Sequence, residues 1–217
     1  MTMKKFGLIG YPLSHSFSKK YFTAKFEREG LQDCQYNLYE IPDVAELKQV
    51  LSSNPELVGL NVTIPYKLQV IPFMDDLDPA CEAIGAVNTI KIRNGKLSGY
   101  NTDYYGFKSS LESWLGADRP KALVLGTGGA SKAVVQALLD LEIPYLRVSR
   151  TQEGPEDPLL VTYEDLHKHT ALLQSYPLII NTTPLGTYPN TERMPDIPLN
   201  QINSRHLLYD LVYNPEN

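Results

Sequence analysis

The chain is 217 residues long, 42% hydrophobic and 21% charged, with a net charge of −5, which suits one large or two small globular domains. The acidic balance holds no basic run, so neither nucleic acid nor an anionic membrane is expected as the main partner, while a local site for a small anionic ligand remains open. The two cysteines lie far apart, the N-terminal apolar run is too short for a signal peptide and no segment approaches the roughly 20 apolar residues that span a bilayer, so a soluble protein of a reducing cytoplasm is expected.

Lys4 to Ile9 predicts a first strand, closed by Gly10-Tyr11-Pro12, and Phe17, Tyr21, Phe22 and Phe26 then share one helical face up to Gly30. Ser14-His15-Ser16 lies in the loop between them. Ser16 can serve as the helix N-cap, or Ser14 and Ser16 can place two hydroxyls beside a helix N-terminus at the carboxyl end of a strand, ready for an anion. Tyr36 to Ile41 predicts a second strand, and Asp43 with Glu46 outlines a capping box for a helix through Leu47, Val50 and Leu51. Leu57 to Val62 predicts a third strand. This β-α-β-α-β order predicts a small, largely parallel sheet with helices on its faces.

Asn61-Val62-Thr63-Ile64-Pro65-Tyr66-Lys67 is expected to end the third strand and open another helix, with Pro65 in its first turn. Lys67 would then sit near the positive end of the helix dipole, a poor place for a merely solvated cation. With Asn61 and Thr63 at the strand's carboxyl end, that placement favours a functional lysine. Further on, Asn94-Gly95 is a strong two-residue hairpin signal. Arg93 opposite Lys96 sets a register that puts Asn88 opposite Asn101 at the open end, and Asp103 shares their face if the strand continues. Two amides and a carboxylate together make a surface for hydroxyls; the plainer reading is that all three cap the ends of elements. Tyr104, Phe107, Leu111 and Leu115 predict a helix that leads into the second half, so the domain boundary falls between residues 102 and 116, with a rigid helical link and a cleft.

Lys121 to Leu125 is a short apolar run that ends in Gly126-Thr127-Gly128-Gly129-Ala130-Ser131, and Ala130, Ala133, Val134, Ala137, Leu138 and Leu141 fall on one helical stripe. A strand, a glycine turn and a helix N-terminus form a phosphate site, because free N–H groups and the dipole face the turn and glycine permits close approach. Gly126-x-Gly128-x-x-Ser131 follows the dinucleotide fingerprint except at its third position, where a small Ser still allows close packing. The next strand, Tyr145 to Arg150, ends where the ribose is read, and the fork of Arg150 suits a 2′-phosphate, so NADP rather than NAD is expected. Arg147 should face the other side. Thr162 to Leu166 starts a short helix; His167 and His169 are wrongly spaced for one helical face, and no metal site is expected. Leu178 to Asn181 and Leu207 to Val212 complete the strands, each followed by a polar turn.

Eight segments in this order resemble shikimate dehydrogenase: Ser14-His15-Ser16, Asn61 to Lys67, Gly85-Ala86-Val87-Asn88-Thr89, Gly99-Tyr100-Asn101-Thr102-Asp103, Gly126 to Ser131, Ser149-Arg150-Thr151, Asn181 to Gly186, and Asp210 to Pro215. The resemblance implies an α/β fold of two domains, a substrate domain over 1–103 with a largely parallel sheet and a Rossmann-type NADP-binding domain over 104–217, with a cleft between them. It implies NADPH-dependent reduction of 3-dehydroshikimate to shikimate, and the reverse, in aromatic amino-acid biosynthesis, by a cytoplasmic monomer or homodimer. Lys67 and Asp103 would be catalytic, and Ser14, Ser16, Thr63, Asn88, Asn101 and Tyr213 would hold substrate. Gly126, Gly128, Gly129, Ala130, Ser131, Ser149, Arg150, Thr151 and Thr183 would hold NADP.

Against the family pattern, Ser149 replaces the usual Asn, Gln152 and Glu153 stand where a second basic residue often helps hold the 2′-phosphate, and the helices carrying a substrate-binding Gln beyond the Tyr-Asn-Pro segment are expected to be absent. Two alternatives accompany the main reading. A quinate or quinate/shikimate dehydrogenase would often carry an acidic residue near position 150. A non-catalytic NADP-binding relative would bind nucleotide without turnover.

Overall fold

In the computed structural model, which describes residues 3–14, 16–152 and 157–212, the chain divides into two units, Met1–Thr102 and Asp103–Asn217. In the first, the apolar run of β1 (Lys4–Gly10) is buried on both faces. Leu8 packs with Phe22, Phe26 and Tyr36 under α1 (Ser18–Arg28), while Ile9 enters a second cluster with Leu47, Leu60, Val62 and Ile90. That two-sided burial makes β1 a central strand. It pairs in parallel with β2 (Cys34–Glu40) and with β3 (Leu57–Val62). Of the aromatic face expected on α1, Phe22 and Phe26 pack inward, but Phe17 and Tyr21 are exposed.

Asp43 caps a 3-10 turn, its Oδ1 accepting the Ala45 N–H at 2.8 Å, rather than forming the outlined box with Glu46, and α2 (Leu47–Ser53) follows and buries Leu47. The three strands of the strand-helix alternation pair in parallel as expected, and the hairpin extends their sheet. Its order is β2-β1-β3-β5-β6-β4, with β4 at Asp76–Leu77, β5 at Thr89–Arg93 and β6 at Lys96–Tyr100. The hairpin β5–β6 enters antiparallel to β3, so the sheet is mixed. Its register is the one Asn94-Gly95 dictates, from Arg93 opposite Lys96 to Thr89 opposite Tyr100, with φ of 52° and 75° at the two turn residues.

The helix expected after Pro65 does not form there. The Ile64–Pro65 bond is cis and residues 64–70 are turns; the helix of this region, α3 (Pro79–Ile84), starts later, capped by Asp78 through the Ala80 N–H at 3.0 Å. Pro79 occupies the first helical position that the sequence reading gave to Pro65.

The division between the units falls after the first residue of α4 (Thr102–Leu115), whose Tyr104, Phe107, Leu111 and Leu115 are buried at the expected spacing. Strand β6 ends at Tyr100, so Asp103 lies in the first turn of α4 rather than on a continued strand. Among the described residues five strands follow, β7 (Ala122–Leu125), β8 (Tyr145–Ser149), β9 (Leu160–Thr162), β10 (Leu178–Asn181) and β11 (Leu207–Asp210), all paired in parallel in the order β11-β10-β7-β8-β9. Numbered within the unit this is 3-2-1-4-5, the Rossmann order with its reversal between β7 and β10.

Helix α5 (Gly129–Asp140) buries Ser131, Ala133, Val134, Ala137 and Leu138. Ala130, placed on that stripe by periodicity, is exposed at the helix start. Thr162 and Asp165 form a full capping box for α6 (Tyr163–Lys168), and α7 (Ala171–Ser175) completes the cluster of Leu123, Leu125, Val148, Leu166 and Leu173 on one sheet face.

Candidate functional site

In the first unit the chain reverses direction across the sheet beside β1, and ligands of open α/β sheets sit outside the carboxyl ends of strands at such a point. The exits of β1 and β3 are joined there: the Thr63 N–H donates to the Ile9 carbonyl at 3.0 Å and the Tyr11 N–H to the Ile64 carbonyl at 3.1 Å. Gly10 permits the approach, since a Cβ on it would stand 2.5 Å from Thr63 Cγ2. The loop after β1 is held from β2, where the Glu40 carboxylate accepts the Leu13 N–H at 2.7 Å. Ser14 is exposed on that loop, and the Ser16 hydroxyl accepts the Ser18 N–H at 3.3 Å. The N-cap of α1 is Phe17, with no side-chain cap bond, so the capping expectation for Ser16 is not met, and Ser14 is exposed. His15 and Tyr213 lie outside the described residues.

Because β5 runs antiparallel to β3, its start reaches the same end of the sheet, and the Val62 N–H donates to the Asn88 carbonyl at 2.8 Å. Lys67 is half-buried in the turn segment, where its carbonyl accepts the Val87 N–H at 2.8 Å, so the backbones of Lys67 and of the residue before Asn88 are tied together. No helix begins at Lys67, and the dipole argument for it has nothing to rest on.

Asn88 and Asn101 are both buried at the open end of the hairpin. The Asn88 side-chain oxygen accepts the Thr102 N–H at 2.8 Å, and the Asn101 amide donates to the Ala86 carbonyl at 3.1 Å. Asn88 therefore spends part of its capacity on Thr102, and Asn101 on the segment that leads into β5. Asp103 is exposed one residue further on. The first unit thus gathers Ser14, Ser16, Thr63, Lys67, Asn88 and Asn101 at one end of one sheet: hydroxyls, amides and a cation, the donors that a polyhydroxylated anion requires.

In the second unit the glycine turn leaves β7 at its carboxyl end. Gly126 has φ of 105°, in the region that favours glycine, and Thr182 closes over it, the Thr182 hydroxyl donating to the Leu125 carbonyl at 2.7 Å. A Cβ on Gly128 or Gly129 would meet nothing within 4 Å, and no side chain caps the N-terminus of α5. An open space faces uncapped helical N–H groups, as a pyrophosphate requires. Ser131 is 2% exposed, which fits the close-packed third position of the fingerprint. The residues present therefore fit a dinucleotide.

Arg150 is exposed just past β8, and its charge opposes the rise that burial imposes on the Tyr163 phenol pKa. Arg147 pairs instead with Asp157. The buried Ser149 hydroxyl donates to the Thr151 carbonyl and secures the strand end. Thr183 donates its N–H and its hydroxyl to Asn181 Oδ1, at 3.0 and 2.7 Å.

Several residues that hold these ends were not singled out by sequence. Asn181 is 8% exposed and donates to Asp210 Oδ1 at 3.1 Å, joining β10 to β11. Thr182, Glu40 and Thr89 act similarly through hydrogen bonds across the sheet. For Asn181, Thr182 and Glu40 the one signal was position, a polar residue at a strand's carboxyl end, which does not by itself separate a latch from a ligand; Thr89 instead starts β5.

A family model described as the shikimate dehydrogenase substrate binding domain matches residues 8–90. The NADP(+) shikimate dehydrogenase of Methanococcus maripaludis is 40% identical over 229 residues, covering 98% of this chain and 79% of that protein. Among solved structures, shikimate 5-dehydrogenase from Thermus thermophilus, in complex with NADP(H) and shikimate, has a TM-score of 0.76 at 28% identity, covering 98% of this chain and 80% of that one. A quinate dehydrogenase from Corynebacterium glutamicum, in complex with NAD, reaches a TM-score of 0.83 at 24% identity over 99% of this chain and 82% of that one, a likeness of fold alone.

Proposed function

The chain belongs to the shikimate dehydrogenase family, and we propose that it catalyses the reversible NADPH-dependent reduction of 3-dehydroshikimate to shikimate. The observation that carries this reading is the gathering of Ser14, Ser16, Thr63, Lys67, Asn88 and Asn101 at the carboxyl end of one sheet, in a chain whose other unit carries a dinucleotide turn.

Residues 1–103 form the substrate domain and residues 104–217 the NADP domain. Ser14 and Ser16 hold the substrate carboxylate, joined by Tyr213. Thr63, Asn88, Asn101 and Asp103 hold the ring hydroxyls. Gly126, Gly128, Gly129, Ala130 and Ser131 take the pyrophosphate, Arg150 takes the 2′-phosphate, and Ser149, Thr151 and Thr183 complete the site. When bound, NADPH supplies the hydride. As the ketone carbon accepts it, negative charge develops on the ring oxygen, and the Lys67 ammonium first stabilises that charge and then gives up a proton to form the alcohol. In the reverse direction the neutral amine takes the hydroxyl proton. Asp103 pairs with Lys67 and keeps the amine oriented.

Cys34 and Cys81 are free thiols, which suits a reducing compartment. No described helix is long and apolar enough to cross a membrane. The enzyme works in the cytoplasm, as a monomer or homodimer, on a small molecule and not on nucleic acid.

The test is an absorbance assay at the nicotinamide band with shikimate or quinate, each with NADP and with NAD. A rise that is largest with shikimate and NADP supports the reading. A preference for quinate moves the chain to the quinate enzymes, and nucleotide binding without any rise makes it a non-catalytic relative.

A further inference from the structure

A single line of hydrogen bonds crosses the carboxyl end of the first sheet, from β2 to the start of α4. The Tyr36 hydroxyl donates to Asn61 Oδ1 at 2.8 Å, Asn61 Nδ2 donates to the Thr89 hydroxyl at 3.2 Å, and the Thr89 hydroxyl donates to Asn88 Oδ1 at 3.1 Å. Asn88 Oδ1 also accepts the Thr102 N–H at 2.8 Å and the Thr102 hydroxyl at 3.1 Å. A backbone N–H can only donate, so the Thr102 amide fixes which end of the Asn88 carboxamide is oxygen. The hydroxyl proton of Thr89 points the same way, and Asn61 must then donate to Thr89 and accept from Tyr36. Burial pushes the Tyr36 phenol up to about 12, so it stays a donor at neutral pH. Every proton in the line points toward Asn88.

The consequence falls on the other end of that amide. With three donors on Asn88 Oδ1, rotating the carboxamide would set its NH2 against the fixed Thr102 N–H and cost those bonds. Among the described residues, Asn88 Nδ2 has no hydrogen-bond partner. Asn88 is therefore held as a donor whose NH2 is left to meet an acceptor oxygen.

We propose that Thr89 is a positioning residue: its hydroxyl, relaying the orientation of Asn61 and Tyr36, locks the Asn88 amide as a dedicated donor to a substrate ring oxygen. This rests on the reading of Asn88 as a substrate ligand. Thr89 itself need not touch the substrate, and its effect is confined to the affinity and alignment of the hydroxylated ring.

Thr89→Val keeps the β-branched shape that a strand start favours but removes both the donor and the acceptor. It should raise the KM for shikimate about tenfold, as expected when a part-buried bond to a ligating group is lost, with the KM for NADP within about twofold of the parent. Thr89→Ser, which restores the hydroxyl, should return the shikimate KM to near the parent value. Where Thr89→Val does not fold, Thr89→Ala is read in the same assays. Unchanged shikimate kinetics in a folded variant overturn the proposal, and so does a lowered Tm with unchanged shikimate KM, because Thr89 would then be merely structural. Failure of the functional reading shows elsewhere: the parent protein itself would neither bind nor oxidise shikimate, and Asn88 would lose its ligand role with it.

Discussion

Thr182 stands so close over Gly126 that a Cβ built on the glycine would lie 3.0 Å from the Thr182 hydroxyl oxygen, and the Gly126 φ of 105° is itself one that side chains rarely adopt. Gly128, two residues on, has an extended backbone with φ of −76° and open space where a Cβ would go. The two glycines of one fingerprint therefore have different duties. Gly126 is needed to fold the turn, and Gly128 to leave room above it.

The prediction is a split between stability and binding. Gly126→Ala should lower Tm by several degrees, since backbone strain of about 1–3 kcal/mol is added at the turn. Gly128→Val should leave Tm near that of the parent and remove most NADP binding. Thermal melts and fluorescence titration with NADP separate the two.

Arg150 is exposed at the end of β8 with no ion pair to a described residue, so its charge is available to a ligand. Arg150→Ala should raise the KM for NADP about 10- to 100-fold, the range for losing charge-assisted hydrogen bonds. The KM for NAD, which lacks the 2′-phosphate, should change little. Parallel kinetics with both cofactors check this.

Tyr104 of α4 donates to Asp140 of α5, and Lys108 lies 3.6 Å from the same carboxylate. The bond from Tyr104 holds the Asp140 carboxyl below its usual range, while burial, reinforced by that carboxylate, raises the Tyr104 phenol. An acid with a lowered folded pKa contributes stability above its ordinary value and loses it as the pH falls through the folded one. A phenol with a raised pKa contributes below its ordinary value and loses it as the pH rises through the folded one. Tyr104→Phe should therefore cost about 1 kcal/mol at neutral pH, lowering Tm by about 2–4 °C. The gap to the parent should narrow below about pH 4. Melts across pH 3 to 8 give the comparison.

How much of this was legible in the sequence depended on how local the signal was. Asn94-Gly95 fixed a register that the structure reproduces pair by pair, because a two-residue turn leaves no slack between strands. The strands Leu57–Val62 and Leu178–Asn181 were readable because buried parallel strands are short apolar runs with sharp ends. The dipole argument for Lys67 failed: Pro65 looked like the start of a helix, but the chain makes turns there, and the Lys67 carbonyl accepts the Val87 N–H instead. The latches Glu40, Asn181 and Thr89 were missed because each acts across strands distant in sequence. Only the sheet order shows that Glu40 reaches the loop after β1, or that Asn181 reaches Asp210.

The most direct test of the account is shikimate oxidation by NADP in the parent protein and in Lys67→Ala, with NADP affinity measured on both. Loss of a positioned proton donor should cut turnover by about 10²- to 10⁴-fold, with folding and NADP binding unchanged. Turnover by Lys67→Ala close to that of the parent would remove Lys67 from the chemistry and contradict the mechanism.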